Sequence, residues 1–120
     1  NINFHKSLFD SRIHITNHFG TPFLESLSMN LPTILILGDY KECLRDNVIE
    51  IFKKMKLARI IFDDPKLASK HINKYYYSVD SWWMDKSTQI VVNKFRTKFC
   101  LGSKKWKEIW LKELTKEIVK

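Results

Sequence analysis

The sequence predicts an α/β fold, and two observations support that class. Three short segments, at residues 12–16, 33–37 and 58–62, have the composition of β-strands. Helical patterns separate them, since residues 22–29 and 41–56 place apolar side chains three and four positions apart. Strands and helices that alternate along a chain form a parallel sheet with crossover helices. We therefore predict a partial Rossmann-like parallel sheet of about three strands, followed by a C-terminal helical tail.

The predicted strands differ in whether one or both faces are expected to be covered by other elements. Residues 12–16 alternate polar and apolar side chains, which is typical of a strand with one covered face. Residues 33–37 form a continuous apolar run, as expected of a strand covered on both faces. Between these strands, Thr21 is predicted to cap a helix whose first residue is Pro22.

The length of 120 residues fits a single domain with two parts. We expect residues 1–63 to form the Rossmann-like α/β unit and residues 64–120 to form an amphipathic helical tail that packs on it. A sheet of three parallel strands leaves at least one edge that needs cover. The chain also begins with Asn1, so we expect it to be a fragment of a longer protein.

Three amphipathic helices are predicted in the tail. The first begins at Asp63 or Asp64 and extends to Trp82, and the second begins near Ser87. The third is capped by Ser103. The side chains assigned to the buried face of this last helix are Trp106, Trp110, Leu114 and Ile118.

Aromatic residues are concentrated in the tail, namely Tyr75, Tyr76, Tyr77, Trp82, Trp83, Trp106 and Trp110. Such a cluster has two interpretations: a platform that stacks on bases or sugars, or the packed core of the tail. Helical spacing favours core packing. Any of these side chains left outside the core would suit contact with a further lobe or a second subunit.

The charge of the chain bears on its partners. The net charge is +8, and the basic excess lies in residues 64–120. Lysine supplies 17 of the 21 basic residues, and a lysine lacks the planar fork with which arginine reads base edges. We therefore expect no specific nucleic-acid partner, and keep a basic nucleic-acid-binding domain as one alternative.

The two cysteines bear on metal binding and compartment. Cys43 and Cys100 lie far apart, with no CxxC spacing, so neither a zinc site nor a disulfide framework is expected. No apolar run is long enough to span a bilayer. We expect no metal and a cytoplasmic location, with the inner face of the membrane as an alternative.

The turn after the first predicted strand carries candidate site residues. His18 lies where open α/β sheets bind ligands, and its imidazole could bond a phosphate or carry a proton. Thr21 could present its hydroxyl and the adjoining helix-start amides to a phosphate. Asn17 could hold the turn through an Asx-type bond, and Gly20 completes it. For each of these, an ordinary turn or cap is the competing interpretation.

Two charged residues are assigned to the same site. Glu25 lies four residues after Thr21, so both fall on one helix face, although a solvated surface charge is an equally good interpretation. Arg45 is expected one turn into its helix. It could neutralise a phosphate, or pair with Glu42 or Glu50.

One block of the sequence resembles a known family. Residues 20–33 read Gly-Thr-Pro-Phe-Leu-Glu-Ser-Leu-Ser-Met-Asn-Leu-Pro-Thr. This block resembles the S-T-T-x-L-E-x-L-A-x-N-x-P-T segment of transferases from bacterial surface-polysaccharide clusters, which are relatives of two-lobed GT-B-type glycosyltransferases. The chain departs from it at Phe19-Gly20, where Asn-Ser is common, and at Pro22. Further matches are Leu44, Arg45, Ala68, Trp82, Trp83, Gln89, Phe95, Trp106 and Trp110.

The resemblance implies the end of a donor-binding lobe, with the preceding lobe absent. It implies transfer of a sugar from a nucleotide-sugar, a substrate that needs no further cofactor, to a glycan or lipid-linked acceptor. We assign the donor phosphate to Thr21 and the helix start, the ribose to Glu25 as in the family, and an auxiliary catalytic role to His18. The catalytic base of two-lobed transferases usually comes from the other lobe, so we expect little or no turnover by this chain alone. A non-catalytic interaction or dimerisation module, or a remnant of the enzyme, is the second alternative.

Overall fold

The computed structural model describes residues 3–39, 42, 44–100 and 105–119. In chain order its elements are α1 (Phe4–Asp10), β1 (His14–Thr16), α2 (Thr21–Ser28), β2 (Thr33–Ile36), α3 (Asp46–Leu57), β3 (Ile61–Phe62), α4 (Pro65–Tyr75), α5 (Val79–Trp83), α6 (Lys86–Phe99) and α7 (Trp106–Val119). The α/β class, with a sheet followed by a helical C-terminal region, is confirmed.

The sheet is parallel, with strand order β1-β2-β3. His14 lies opposite Thr33, and Leu35 lies opposite Ile61. The first three residues of the central strand β2 are buried, which explains its apolar run. This sequential order is that of one half of a doubly wound sheet.

The strands are shorter than predicted, most of all β3. The prediction covered residues 58–62, but the strand consists of Ile61 and Phe62. The residues before it end α3 instead: Arg59 has a φ of 65°, and the Ile60 N–H donates to the Met55 carbonyl at 2.9 Å. This is a Schellman helix ending. Because the apolar residues around it have the composition of a strand, the sequence pattern extended the predicted strand back into the end of α3.

Helices cover both faces of the sheet. Thr33 hydrogen-bonds to Ser26 of α2, so Thr33 and Leu35 face α2. Phe62 follows the residue opposite Leu35 and therefore points to the other face, where its ring centroid is 5.5 Å from that of His71 on α4. The sheet is thus packed between α2 on one side and α4 on the other.

The core lies between the sheet, α2, α3 and α6. The Phe95 ring of α6 is 5.9 Å from that of Phe23 on α2 and 6.4 Å from that of Phe52 on α3. Contacts of this geometry add to the free energy of burial. α6 therefore joins the two helices that connect the strands.

α3 begins later than predicted. The expected helix covered residues 41–56, whereas α3 starts at Asp46 with Arg45 as its N-cap residue in extended conformation. Residue 41 and Cys43 lie outside the described residues. Arg45 consequently precedes the helix and does not lie one turn into it.

The first predicted tail helix is interrupted. α4 ends at Tyr75 and α5 begins at Val79, and the Ser78 N–H donates to the Tyr75 carbonyl at 2.9 Å in the turn between them. Tyr, Ser and Val have lower helix propensity than Leu or Lys, so the break falls where the intrinsic preference is weak. The predicted start of α4 is confirmed: Asp64 is its N-cap residue, and the Asp64 carboxylate accepts from the Lys66 N–H at 2.9 Å.

The prediction that α7 buries its apolar face is wrong. The four assigned side chains are 53 to 84% exposed: Trp106, Trp110, Leu114 and Ile118. Amphipathic spacing shows that a helix has an apolar side, and does not show that the same chain covers it. The predicted cap, Ser103, lies outside the described residues. In the described ranges no helix is long and apolar enough to cross a membrane.

The aromatic residues of the tail divide into two groups. Trp82 and Trp83 are buried, which confirms core packing for this pair. Tyr76 and Tyr77 are exposed, so core packing is wrong for them. The guanidinium of Arg12 lies 4.9 Å from the Tyr76 ring centroid, which ties this turn to the start of β1.

Asn30 connects the two halves of the chain. It follows α2 with a φ of 54°, a conformation that Asn adopts more readily than most residues. Its Oδ1 accepts from Trp83 Nε1 at 3.1 Å and from Gln89 Nε2 at 3.2 Å, while its Nδ2 donates to Gln89 Oε1 at 3.0 Å. Trp83 Nε1 is also 3.1 Å from the Asn30 carbonyl oxygen. One side chain therefore satisfies polar groups on α5 and α6.

Replacement of Asn30 separates its two contributions. Asn30→Gly keeps the left-handed backbone and removes three side-chain hydrogen bonds, so we expect a loss of about 1–2 kcal/mol of unfolding free energy. Asn30→Ala also strains the backbone, and we expect roughly 1 kcal/mol more. Urea denaturation measures both. If the Gly variant is as stable as the parent, the polar contacts contribute nothing.

His71 is held among aromatic rings on the α4 face. Its ring centroid is 4.5 Å from that of Trp82 and 4.9 Å from that of Tyr75. Within the described residues its Nε2 is buried without a hydrogen-bond partner. Burial, and then the positive charges of Arg59 and Lys74, lower the pKa of His71 from 6.5 to about 4.

The lowered pKa of His71 predicts a loss of stability in acid. The unfolded chain binds a proton near pH 6.5 and the folded chain only near pH 4, so stability falls as the pH falls through this window. We expect a loss of about 1–2 kcal/mol of unfolding free energy, less than a fully buried ring would give. His71→Phe should show a flatter profile in urea denaturation across this range. Parallel profiles for the two proteins would contradict the assignment.

Candidate functional site

Helix α2 begins just after the carboxyl end of β1. Its N-cap is Gly20, and Thr21 and Pro22 are its first two residues. The prediction that Thr21 is the N-cap is therefore wrong by one position. It assumed that Pro22 is the first residue of the helix, whereas Pro22 is the second. The Phe23 and Leu24 N–H groups donate to the Gly20 carbonyl at 3.1 and 3.2 Å, and Pro22 has no N–H. In the described part of the chain, this leaves the Thr21 N–H as the open amide of the first turn.

The turn before α2 brings His18 against Gly20. A Cβ added at Gly20 would lie 2.8 Å from Cδ2 and 2.9 Å from Nε2 of the His18 ring, so the ring occupies the space that a side chain would need. Thr16 holds the turn, since its Oγ1 accepts from the His18 N–H at 3.3 Å. Asn17 was expected to hold it, but its side chain forms no hydrogen bond within the described residues.

Glu25 contacts a residue that the sequence reasoning missed. Its Oε2 is 3.1 Å from Nε2 of His5 on α1, and the two side chains are 34 and 66% exposed. Helix α1 was not predicted, because seven residues with a single buried side chain, Leu8, give too short a pattern. Asn3 starts α1 by accepting from the His5 N–H at 3.0 Å, an N-cap signal that was available in the sequence.

Arg45 lies beside an apolar pocket of about 320 Å³. Its side chain is exposed, and no ion pair with Glu42 or Glu50 forms within the described residues, where Glu50 pairs with Lys53 at 3.0 Å. The remaining lining residues come from the turn before α2, from α2, α3 and α6 and the loop before α3: Phe19, Leu24, Leu44, Val48, Phe95 and Phe99. The pocket therefore adjoins the start of α2.

The residues assigned to the site follow the carboxyl ends of β1 and β2, but they do not all lie in one turn or helix. His18, Gly20 and Thr21 lie together in one turn, and Glu25 follows one helical turn later. Arg45 comes from another loop and lines a pocket that includes Phe19 and Leu24, which are sequence neighbours of these residues. A partly positive helix end, an imidazole and a carboxylate can bind an anion that also carries hydroxyl groups. In the ranges described, no three His, Cys, Asp or Glu side chains are placed to hold a metal ion.

A comparison with protein families decides the wider class. The model of the LIC12162 family transferase matches residues 1–114, which is nearly the whole chain. The chain belongs to the LIC12162 family of transferases. No curated protein and no solved structure matches it. Membership of the LIC12162 family supports the transferase part of the sequence prediction.

Several residues that carry the sequence resemblance have structural positions in this LIC12162 family member. Asn30, Trp83 and Gln89 form the polar contacts between α2, α5 and α6. Thr33 is buried against Ser26. The exposed part of the motif is its beginning, at Thr21, with the half-buried Glu25. A role in ligand binding is therefore best sought in that first part.

The contact between His18 and Gly20 predicts a local effect of substitution. Gly20 has a φ of −154°, which any residue adopts, so Gly20→Ala should change the unfolding free energy by less than about 1 kcal/mol. The added methyl group should displace the His18 imidazole and shift its side-chain NMR signals. Gly38→Ala is the matched control, because a Cβ there meets nothing within 4 Å. Unchanged His18 signals in the Gly20 variant would show that the contact is absent in solution.

Proposed function

We propose that this transferase chain is the donor-nucleotide-binding portion of a glycosyltransferase of the GT-B type that acts in cell-surface polysaccharide biosynthesis. The observation that carries the proposal is the group at the carboxyl end of β1: an open Thr21 N–H, an exposed His18 and a positioned Glu25. Open α/β sheets bind ligands at this end of their strands. The sequence resemblance supports the sugar-nucleotide class.

Each residue has a distinct task in the proposed site. The Thr21 N–H and hydroxyl bind the donor phosphate at the positive end of α2. Donors fixed before the reaction stabilise the negative charge that grows on the departing nucleotide. His18 stands beside this point as an auxiliary proton carrier or phosphate ligand. Glu25, held by His5, accepts hydrogen bonds from the ribose hydroxyls.

The apolar pocket suits an uncharged part of a ligand. Its lining includes Phe19, just before α2, and Leu24 in the first turn of α2, and Arg45 is the cation in the lining. We assign Arg45 to a second phosphate contact, with Asn17 and Gly20 completing the turn around the first. The donor is a substrate, and the proposed reaction uses no cofactor or metal.

The remaining partners follow from the same proposal. The acceptor is a glycan or a lipid-linked sugar, and the catalytic base comes from another lobe or a second copy of the chain. The exposed apolar residues of α7, including Trp106 and Trp110, favour such a contact. We therefore propose little or no turnover by this chain alone, and no specific nucleic-acid binding.

Titration with nucleotides tests the donor site. A nucleoside diphosphate at millimolar concentration should shift backbone amide NMR signals of residues 17–25. Glu25→Gln should weaken nucleoside diphosphate binding about tenfold and leave pyrophosphate binding unchanged, because only the ribose contact is lost.

The matched control is Glu113→Gln on α7, where the carboxylate is also paired, with Lys116 at 2.8 Å. This variant should bind like the parent. The donor site is refuted if no nucleoside diphosphate shifts residues 17–25. The ribose assignment is refuted if the Glu25 and Glu113 variants bind equally well.

A further inference from the structure

A second pocket lies on the α4 face of the sheet. It has a volume of about 270 Å³, and its lining residues are Arg59, Phe62, Leu67, Lys70, His71, Lys74, Tyr75 and Trp82. None of these residues is assigned to the proposed donor site, and none lines the pocket beside Arg45. The second pocket is therefore separate from the proposed donor site.

The pocket combines positive charge with apolar walls. Three of its lining residues are cations, Arg59, Lys70 and Lys74, and no carboxylate lines it. None of these three forms an ion pair in the described ranges of the chain. Like charges placed together without a counter-charge repel one another, and a bound anion removes this repulsion.

Arg59 lines the pocket with a left-handed backbone. Its φ of 65° is the left-handed conformation that glycine adopts without strain at the end of a helix. An arginine at this place is disfavoured, and residues held in such conformations cluster at ligand sites. The helix ending that imposes this conformation also places Arg59 in the lining of the pocket, together with Lys70 and Lys74 of α4.

His71 and its neighbours set the character of the inner wall. The His71 Nε2 is buried without a partner among the described residues, and Tyr75 and Leu67 provide apolar surface. A neutral imidazole can donate or accept one hydrogen bond. A volume below the 300–1,000 Å³ or so of drug-sized ligand pockets favours a small ligand.

We propose that this pocket binds a small phosphorylated ligand, with the phosphate between Arg59, Lys70 and Lys74 and an apolar or aromatic group against Leu67 and Tyr75. Arginine forms paired hydrogen bonds with phosphate oxygens, and lysine adds charge. The site would serve this chain in addition to the proposed donor site, and neither depends on the other.

Phenyl phosphate is the probe for this site, with inorganic phosphate and phenol as its two halves. The readout is the indole N–H signal of Trp82, whose Nε1 donates to the Ala58 carbonyl beside Arg59 at 2.9 Å. Phenyl phosphate should shift this signal in a saturable way, and it should bind more tightly than either half.

Three variants separate a specific site from general charge attraction. Arg59→Gly and Lys70→Gln should each weaken phenyl phosphate binding about tenfold. Lys66→Gln, on the same helix but outside the pocket, should leave it unchanged. Arg59→Gly should melt no lower than the parent, because glycine suits the left-handed backbone.

The proposal is overturned if phenyl phosphate gives no saturable shift, or if Lys66→Gln weakens binding as much as Arg59→Gly. It is also overturned if inorganic phosphate or phenol alone binds as tightly as phenyl phosphate. These results do not depend on whether the donor site exists, because nucleoside diphosphate binding there is measured by the amide signals of residues 17–25.

Discussion

The hydrogen bonds of Asn30 are the interaction on which the arrangement of the two halves depends. The residue lies just after α2, and its side chain hydrogen-bonds to Trp83 and Gln89, so the position of the sheet unit and that of the later helices are set together. Buried polar groups are costly unless they are paired, and pairing of this kind has few alternative geometries. Arg96 adds a second link to the same helix end by donating to the Ser28 carbonyl at 2.9 Å.

The sequence allowed the fold class and the sheet to be predicted, because both depend on apolar periodicity. The strand at residues 33–37 could be predicted because β2 is covered on both faces and is therefore continuously apolar. The end of α3 was not, since Ile60, Ile61 and Phe62 are equally apolar and only the left-handed Arg59 divides helix from strand. α7 was misjudged because a periodic pattern cannot say whether its partner lies within the same chain.

The candidate site was predictable only in part. Thr21, His18 and Glu25 could be placed at the end of β1, because that position follows from strand-helix alternation. The contact between Glu25 and His5 could not, since it joins residues 20 positions apart through a helix too short to detect. The contact of His18 with Gly20 depends on ring orientation, which sequence spacing does not specify. The residues of the sequence motif have different roles in the structure: Asn30 and Thr33 form hydrogen bonds that maintain the fold, whereas Thr21 and Pro22 at its beginning are exposed.

The two helix endings at Asn30 and Arg59 also bear on the order in which the chain folds. Each reverses the backbone within a few residues and leads directly into a strand, so the entropy lost in closing it is small. The contact from Asn30 to Gln89 spans 59 residues and closes a far larger loop. We therefore expect the local reversals to form at little entropic cost and the attachment of the later helices to come afterwards.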